Sequence, residues 1–129
     1  MPYYHTKVLD KAQFEEILER TKSALKEEGF GIITEIDMQA TLKKKLGADL
    51  YPYVILGACN PALAHKALQK ENKIGTMLPC NVIVQQRTPD QVEVAAINPV
   101  VSMQAVKNNE LAEVAQEVDK RLKRALSHL

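Results

Sequence analysis

Tyr51-Pro52-Tyr53-Val54-Ile55-Leu56-Gly57-Ala58-Cys59-Asn60-Pro61 is the stretch on which the fold turns. Residues 51–59 are almost wholly apolar and offer water no polar face. A strand of that kind is buried on both faces or lies in the middle of a sheet. Asn60-Pro61 then starts a helix. Asn caps it, and Pro is tolerated at the first helical position because its missing N–H would have had no partner there. That helix is expected to reach about Lys70.

Upstream, residues 3–8 read as a short first strand, rich in Tyr, Thr and Val. Asp10 is expected to cap the following helix, with Gln13 completing a capping box. Phe14, Ile17, Leu18, Thr21 and Leu25 follow at helical spacing, and Gly29 ends the helix with Phe30 folding back on it. Residues 31–36 form the second strand, with Ile32, Thr34 and Ile36 on one side and Gly31, Ile33, Glu35 and Asp37 on the other. Asp37 can cap a short helix that Gly47 stops.

Downstream, residues 80–87 and 92–97 read as a hairpin around Thr88-Pro89-Asp90-Gln91. Asn98-Pro99 is expected to end the fifth strand. The last helix begins near Asn109 and carries an apolar stripe of Leu111, Val114, Ala115, Val118, Leu122, Ala125 and Leu126. Two long amphipathic helices must each bury a stripe. An antiparallel or mixed five-stranded sheet with both helices on one face does so, giving an α+β fold. With 129 residues and no linker-like tract, residues 1–129 are expected to form a single domain.

Composition removes several function classes. Lys+Arg number 17 against 16 Asp+Glu, so no net charge draws the chain to nucleic acid or to an acidic membrane. Lys43-Lys44-Lys45 and the group Lys120, Arg121, Lys123 and Arg124 lack interleaved aromatics, and read as solvated helix faces rather than base-stacking platforms. No apolar run is long enough to span a bilayer. The opening Met1-Pro2-Tyr3-Tyr4-His5 has no basic segment followed by an apolar one, so a cytoplasmic location with reduced thiols is expected. There is no P-loop, Rossmann glycine fingerprint, nucleophile elbow or HExxH motif.

Three segments carry a family resemblance: Gly29-Phe30-Gly31-Ile32-Ile33-Thr34-Glu35-Ile36-Asp37, Tyr53-Val54-Ile55-Leu56-Gly57-Ala58-Cys59-Asn60-Pro61, and Leu78-Pro79-Cys80-Asn81-Val82. Together they resemble the bacterial and archaeal family known as domain of unknown function 302. The resemblance implies a TATA-box-binding-protein-like fold, β-α-β(4)-α, in which strands two to five form an antiparallel meander. It also implies a homodimer. It brings no activity, substrate or cofactor, and fold alone does not license DNA binding.

The candidate chemistry centres on two thiols. Cys59 ends the third strand and Cys80 begins the fourth, so the meander would bring both to one rim of the sheet. Cys59 precedes a helix N-terminus, where a thiolate is favoured. The pair can be reactive or redox-active, half of a metal site, or two small buried hydrophobes. His65, one turn into the helix, would complete a Cys59, His65, Cys80 set for a soft metal, but a fourth protein ligand is wanting, and a solvent-facing role suits it better. Glu35 is a candidate acid–base group. Tyr53, Cys59, Asn60, Cys80 and Asn81 are the candidate ligand-binding residues. Gly57 either admits a ligand close to the backbone or marks a bulge. Three function classes follow: a small-molecule-binding or sensing domain with a cleft near Cys59 and Cys80, a cysteine-dependent redox enzyme, or an interaction protein acting as a homodimer. No cofactor is expected.

Overall fold

The computed structural model describes residues 2–129. Five strands make one sheet: β1 (Tyr4–Asp10), β2 (Gly31–Asp37), β3 (Tyr53–Cys59), β4 (Cys80–Thr88) and β5 (Gln91–Ile97). Their order is β1-β5-β4-β3-β2, and every neighbouring pair is antiparallel. Strands two to five are therefore the expected meander. The helices are α1 (Phe14–Glu27), α2 (Met38–Leu46), α3 (Pro61–Lys70), α4 (Pro99–Ser102) and α5 (Leu111–Ser127). The apolar middle stretch lies next to the centre of the sheet, flanked by β2 and β4.

Alternation along the strands sorts their side chains into two faces. Val54, Leu56 and Ala58 on β3 pair with Val84, Val82 and Cys80 on β4, and all six are buried. Val92, Val94 and Ala96 extend that face onto β5. Helices α1 and α5 lie across it, and it forms one core with Ile17, Leu18, Leu25, Leu111, Val114, Val118 and Leu122, while Phe14 packs against it half-buried. The two long helices thus share one face of the sheet, as the stripes require.

Two local expectations are corrected and a third is extended. Asp10 does not cap α1. Pairing with β5 carries β1 through Asp10, which accepts a 2.9 Å hydrogen bond from Gln91 Nε2, and Gln13 takes the cap position without a side-chain bond. The faces of β2 switch partway, because a bulge inserts Ile33: Ile32 pairs with Ala58 but Thr34 with Gly57, so Ile32 and Glu35 face the helices while Gly31, Thr34 and Ile36 face away. Asn98-Pro99 ends β5 as expected and does more. Asn98 Oδ1 accepts from Val100 N at 3.1 Å and Val101 N at 3.3 Å, opening α4 as Asn60 opens α3. Asp37 caps α2 as expected, accepting from Ala40 N at 2.9 Å, and Gly47 ends that helix at φ +66°.

Gly57 has neither of its expected roles. A Cβ there would run into the Thr34 hydroxyl and come within 2.8 Å of the Pro79 ring. The space above it is filled by this chain, and the bulge belongs to the facing strand. Gly57→Ala should destabilise the fold by about 1–3 kcal/mol through overpacking. Gly75→Ala, where nothing lies within 4 Å of an added Cβ, should change stability by less than about 1 kcal/mol. Urea unfolding of both variants checks this.

Candidate functional site

The end of the sheet where β3 stops and β4 starts meets α3, α5 and the loop before β4. A cavity of about 300 Å³ lies there. Phe30, Ala58 and Cys80 line it from the sheet side, Leu63, Ala64 and Ala67 from α3, and Val114, Ala115 and Val118 from α5. Leu78, Pro79 and Met103 contribute from the flanking segments. Apart from the thiols of Cys59 and Cys80 and the amide of Asn60, the side chains around it are hydrocarbon or thioether.

Asn60 is built into this wall. Its Oδ1 accepts from Leu63 N at 3.2 Å, and the residue is buried. Gly29, at φ +86°, lies against it: a Cβ there would be 2.9 Å from Asn60 Nδ2 and 3.2 Å from Arg121 Nη1. Arg121 donates to the Glu28 carbonyl at 3.2 Å. The end of α1, the start of α3 and the side of α5 therefore converge at one glycine that no residue with a side chain can replace without displacing them.

Cys59 and Cys80 come together at the rim, since Cys80 pairs with Ala58, the neighbour of Cys59. Both are free thiols. The pleat nevertheless sends consecutive residues to opposite faces, so Cys80 points with Ala58 toward the helices and Cys59 alternates away, meeting the cavity at its edge. Burial pushes the Cys80 thiol up to about 11, with a smaller contribution from Cys59 as a like charge nearby. A thiol so placed stays protonated at neutral pH and is a poor nucleophile.

The remaining candidates do not join this site. Tyr53 and Asn81 project from the face opposite α1 and α5, where they line a second hollow of about 390 Å³ with Tyr3, Tyr4 and Arg87. Asn81 directly follows Cys80, and the two-residue period of a strand divides them. Glu35 Oε1 lies 2.7 Å from Lys22 Nζ, joining β2 to α1. The hydrogen bond to Glu35, aided by Glu19, holds the Lys22 ammonium above the usual lysine range against the opposing effect of burial. His65 is exposed on α3, as its helical position suggested. Among the described residues no three His, Cys, Asp or Glu side chains gather as they would around a metal ion, so the Cys59, His65, Cys80 set is not assembled.

Sequence reasoning missed one buried polar cluster. Asp119 sits in the apolar stripe of α5, with its Oδ1 2.6 Å from His5 Nε2 and its Oδ2 3.1 Å from Lys123 Nζ. A carboxylate inside an apolar stripe was the available signal, but His5 is 114 residues away and nothing local names it. This cluster pins α5 to β1 and lines neither hollow.

Comparison with known proteins places the chain. A family model described as domain of unknown function DUF302 matches residues 5–129. The chain belongs to the DUF302 family. It is also similar to a crystal structure of an uncharacterized conserved DUF302 protein from Bacillus stearothermophilus, at 29% identity, with 98% of this chain and 97% of that one covered and a TM-score of 0.89. None of the curated proteins matches it. Membership in DUF302 accounts for the fold and for the three sequence segments, and it leaves activity to be argued from the cavity. No helix among the described residues is long and apolar enough to cross a membrane.

The thiol geometry makes a prediction. In the native DUF302 protein Cys80 should resist iodoacetamide at pH 8 and react only once the chain is unfolded, and a mild oxidant should leave no Cys59–Cys80 disulfide because the Cβ vectors diverge. Mass spectrometry of the labelled and oxidised protein reads both outcomes. The sign of the pH dependence also follows. The raised folded-state pKa of Cys80 contributes stability that is complete below about pH 9 and lost as pH rises toward about 11. Replacing Cys80 with Ala should remove that part of the alkaline loss.

Proposed function

We propose that this protein is a small-molecule-binding or sensing domain, acting in the cytoplasm, and that its ligand is a compact, mainly apolar molecule held in the cavity between β3, β4, α3 and α5. The observation that carries the reading is the cavity itself. It has about 300 Å³, walls almost entirely of carbon, and one buried amide, Asn60, at its edge. That volume is at the small end of ligand pockets and twice that of an engineered apolar cavity that takes up benzene. Two free thiols are in keeping with a reducing compartment.

The protonated state of Cys80 and its divergence from Cys59 weigh against the cysteine-dependent redox enzyme. In the binding reading Cys80 is part of the wall and Cys59 part of the rim. Ala64 lines the cavity and is only half-buried, so it is the place to block it.

Benzene and indole serve as probes. Each should shift the methyl resonances of Leu63, Met103 and Val114 in a saturable way, and should leave those of Val8 and Ile36, on the other face, unmoved. Ala64→Phe should fill the cavity and abolish the shifts without loss of stability. Absence of saturable shifts with either probe near its aqueous solubility would overturn the reading.

A further inference from the structure

Asn60 is the polar exception in a wall of hydrocarbon, and half of its amide is uncommitted. Its Oδ1 accepts from Leu63 N at 3.2 Å to cap α3, and that bond also fixes which end of the amide is oxygen. Its backbone carbonyl accepts from Ala64 N at 2.9 Å. Among the described residues no acceptor takes a hydrogen bond from Nδ2. The nitrogen is not walled in either, because among the described residues no fully buried side-chain nitrogen or oxygen lacks a partner. The residue as a whole is only 8% exposed, and it lines the cavity. A donor that is largely desolvated and still open is one that a guest can satisfy.

We infer that the guest of this cavity is a compact neutral carbonyl compound (a ketone, aldehyde or ester) whose oxygen accepts from Asn60 Nδ2 while its hydrocarbon part fills the remaining space. The inference rests on the binding reading above and narrows it to a chemical class.

The wall selects that class on two counts. The first is charge. None of the side chains that line the cavity is Lys, Arg, His, Asp or Glu. An ionised guest would leave water without a counter-charge, which is far costlier than moving a neutral dipole. Arg121 approaches Gly29 beside the same amide, but its guanidinium is already held. Its Nε lies 3.0 Å from Glu117 Oε1, and its Nη1 donates to the Glu28 carbonyl at 3.2 Å.

The second count is the kind of hydrogen bond on offer. A guest with its own N–H or O–H gives up a bond to water and needs an acceptor in return. The side-chain oxygen of Asn60 is committed to the cap, and the other heteroatoms of the lining side chains are the sulfurs of Cys59, Cys80 and Met103, which accept only weakly. A carbonyl brings an acceptor and no donor, so it leaves nothing unpaired. A single fixed polar group in an apolar pocket also orients the guest, and a pocket built around one hydrogen bond discriminates against the isostere that cannot make it.

Acetophenone and α-methylstyrene differ only in an oxygen exchanged for a methylene, and they are the probes, with benzoate as the charged comparison. In the wild-type protein both neutral probes should shift the methyl resonances of Leu63 and Val114 in a saturable way. Acetophenone alone should move the side-chain amide resonances of Asn60. Asn60→Asp keeps an oxygen for Leu63 N, and Asp caps helices as well as Asn does, but it removes the donor. It should weaken acetophenone about fivefold or more and change α-methylstyrene by less than about twofold, as loss of one hydrogen bond does. Urea unfolding confirms that the variant folds, and the wild-type amide resonance reads the same bond with no substitution at all. Methyl shifts accompanied by an Asn60 amide that acetophenone leaves unmoved would keep the cavity as a binding site and overturn the carbonyl assignment. Benzoate binding more tightly than acetophenone at pH 7 would overturn it as well. Absence of methyl shifts with both neutral probes would overturn the binding reading and this inference together.

Discussion

The unslipped register between β3 and β4 is the constraint on which everything else rests. Val54, Leu56 and Ala58 meet Val84, Val82 and Cys80 with no insertion on either strand. A slip of one residue on either strand would turn that strand's three core side chains outward and bring Tyr53 and Ile55 of β3, or Asn81 and Ile83 of β4, inward. The mismatch in polarity and size makes that exchange prohibitive, so one pairing is selected. The position of the core, the lie of α1 and α5 and the floor of the cavity follow from it.

The same register divides the molecule into two sides. The helical side owns the cavity, with Asn60 and Cys80 in its wall. The other side owns the tyrosines, the paired Arg87 and Glu93, and Asn81. The two hollows are separated by the sheet alone. Gly57 lies in that partition, closed off by Thr34 and Pro79. The two hollows share no lining residue.

Most of the architecture was legible in the sequence because its signals are local. The stripes of α1 and α5, the apolar run of β3 and the caps Asp37 and Asn60 each act within a few residues, and the structure keeps them. What failed was decided at a distance. Asp10 is drawn into β1 by Gln91, on a strand far along the chain, and Ile33 becomes a bulge only because β3 sets the pairing of its neighbours. Cys80 and Asn81 were grouped as one site because they are adjacent and polar or reactive, although the period of a strand already separates them. The cavity walls from α5, and Met103, carried no signal at all, since hydrophobic residues that line a hollow read the same as those that fill a core.

The two Asn-Pro exits carry a mechanical consequence. β3 ends in Ala58-Cys59-Asn60-Pro61 and β5 in Ala96-Ile97-Asn98-Pro99, with the same sequence of buried and half-buried positions along both strands. The strands run parallel on either side of β4, so both exits leave the same end of the sheet and flank the first residue of that strand, Cys80. Each works as an elbow whose proline fixes one dihedral and whose asparagine clamps the first helical turn. Two stiff elbows of matching design hold α3 and α4 at a set separation, much as paired brackets hold a shelf.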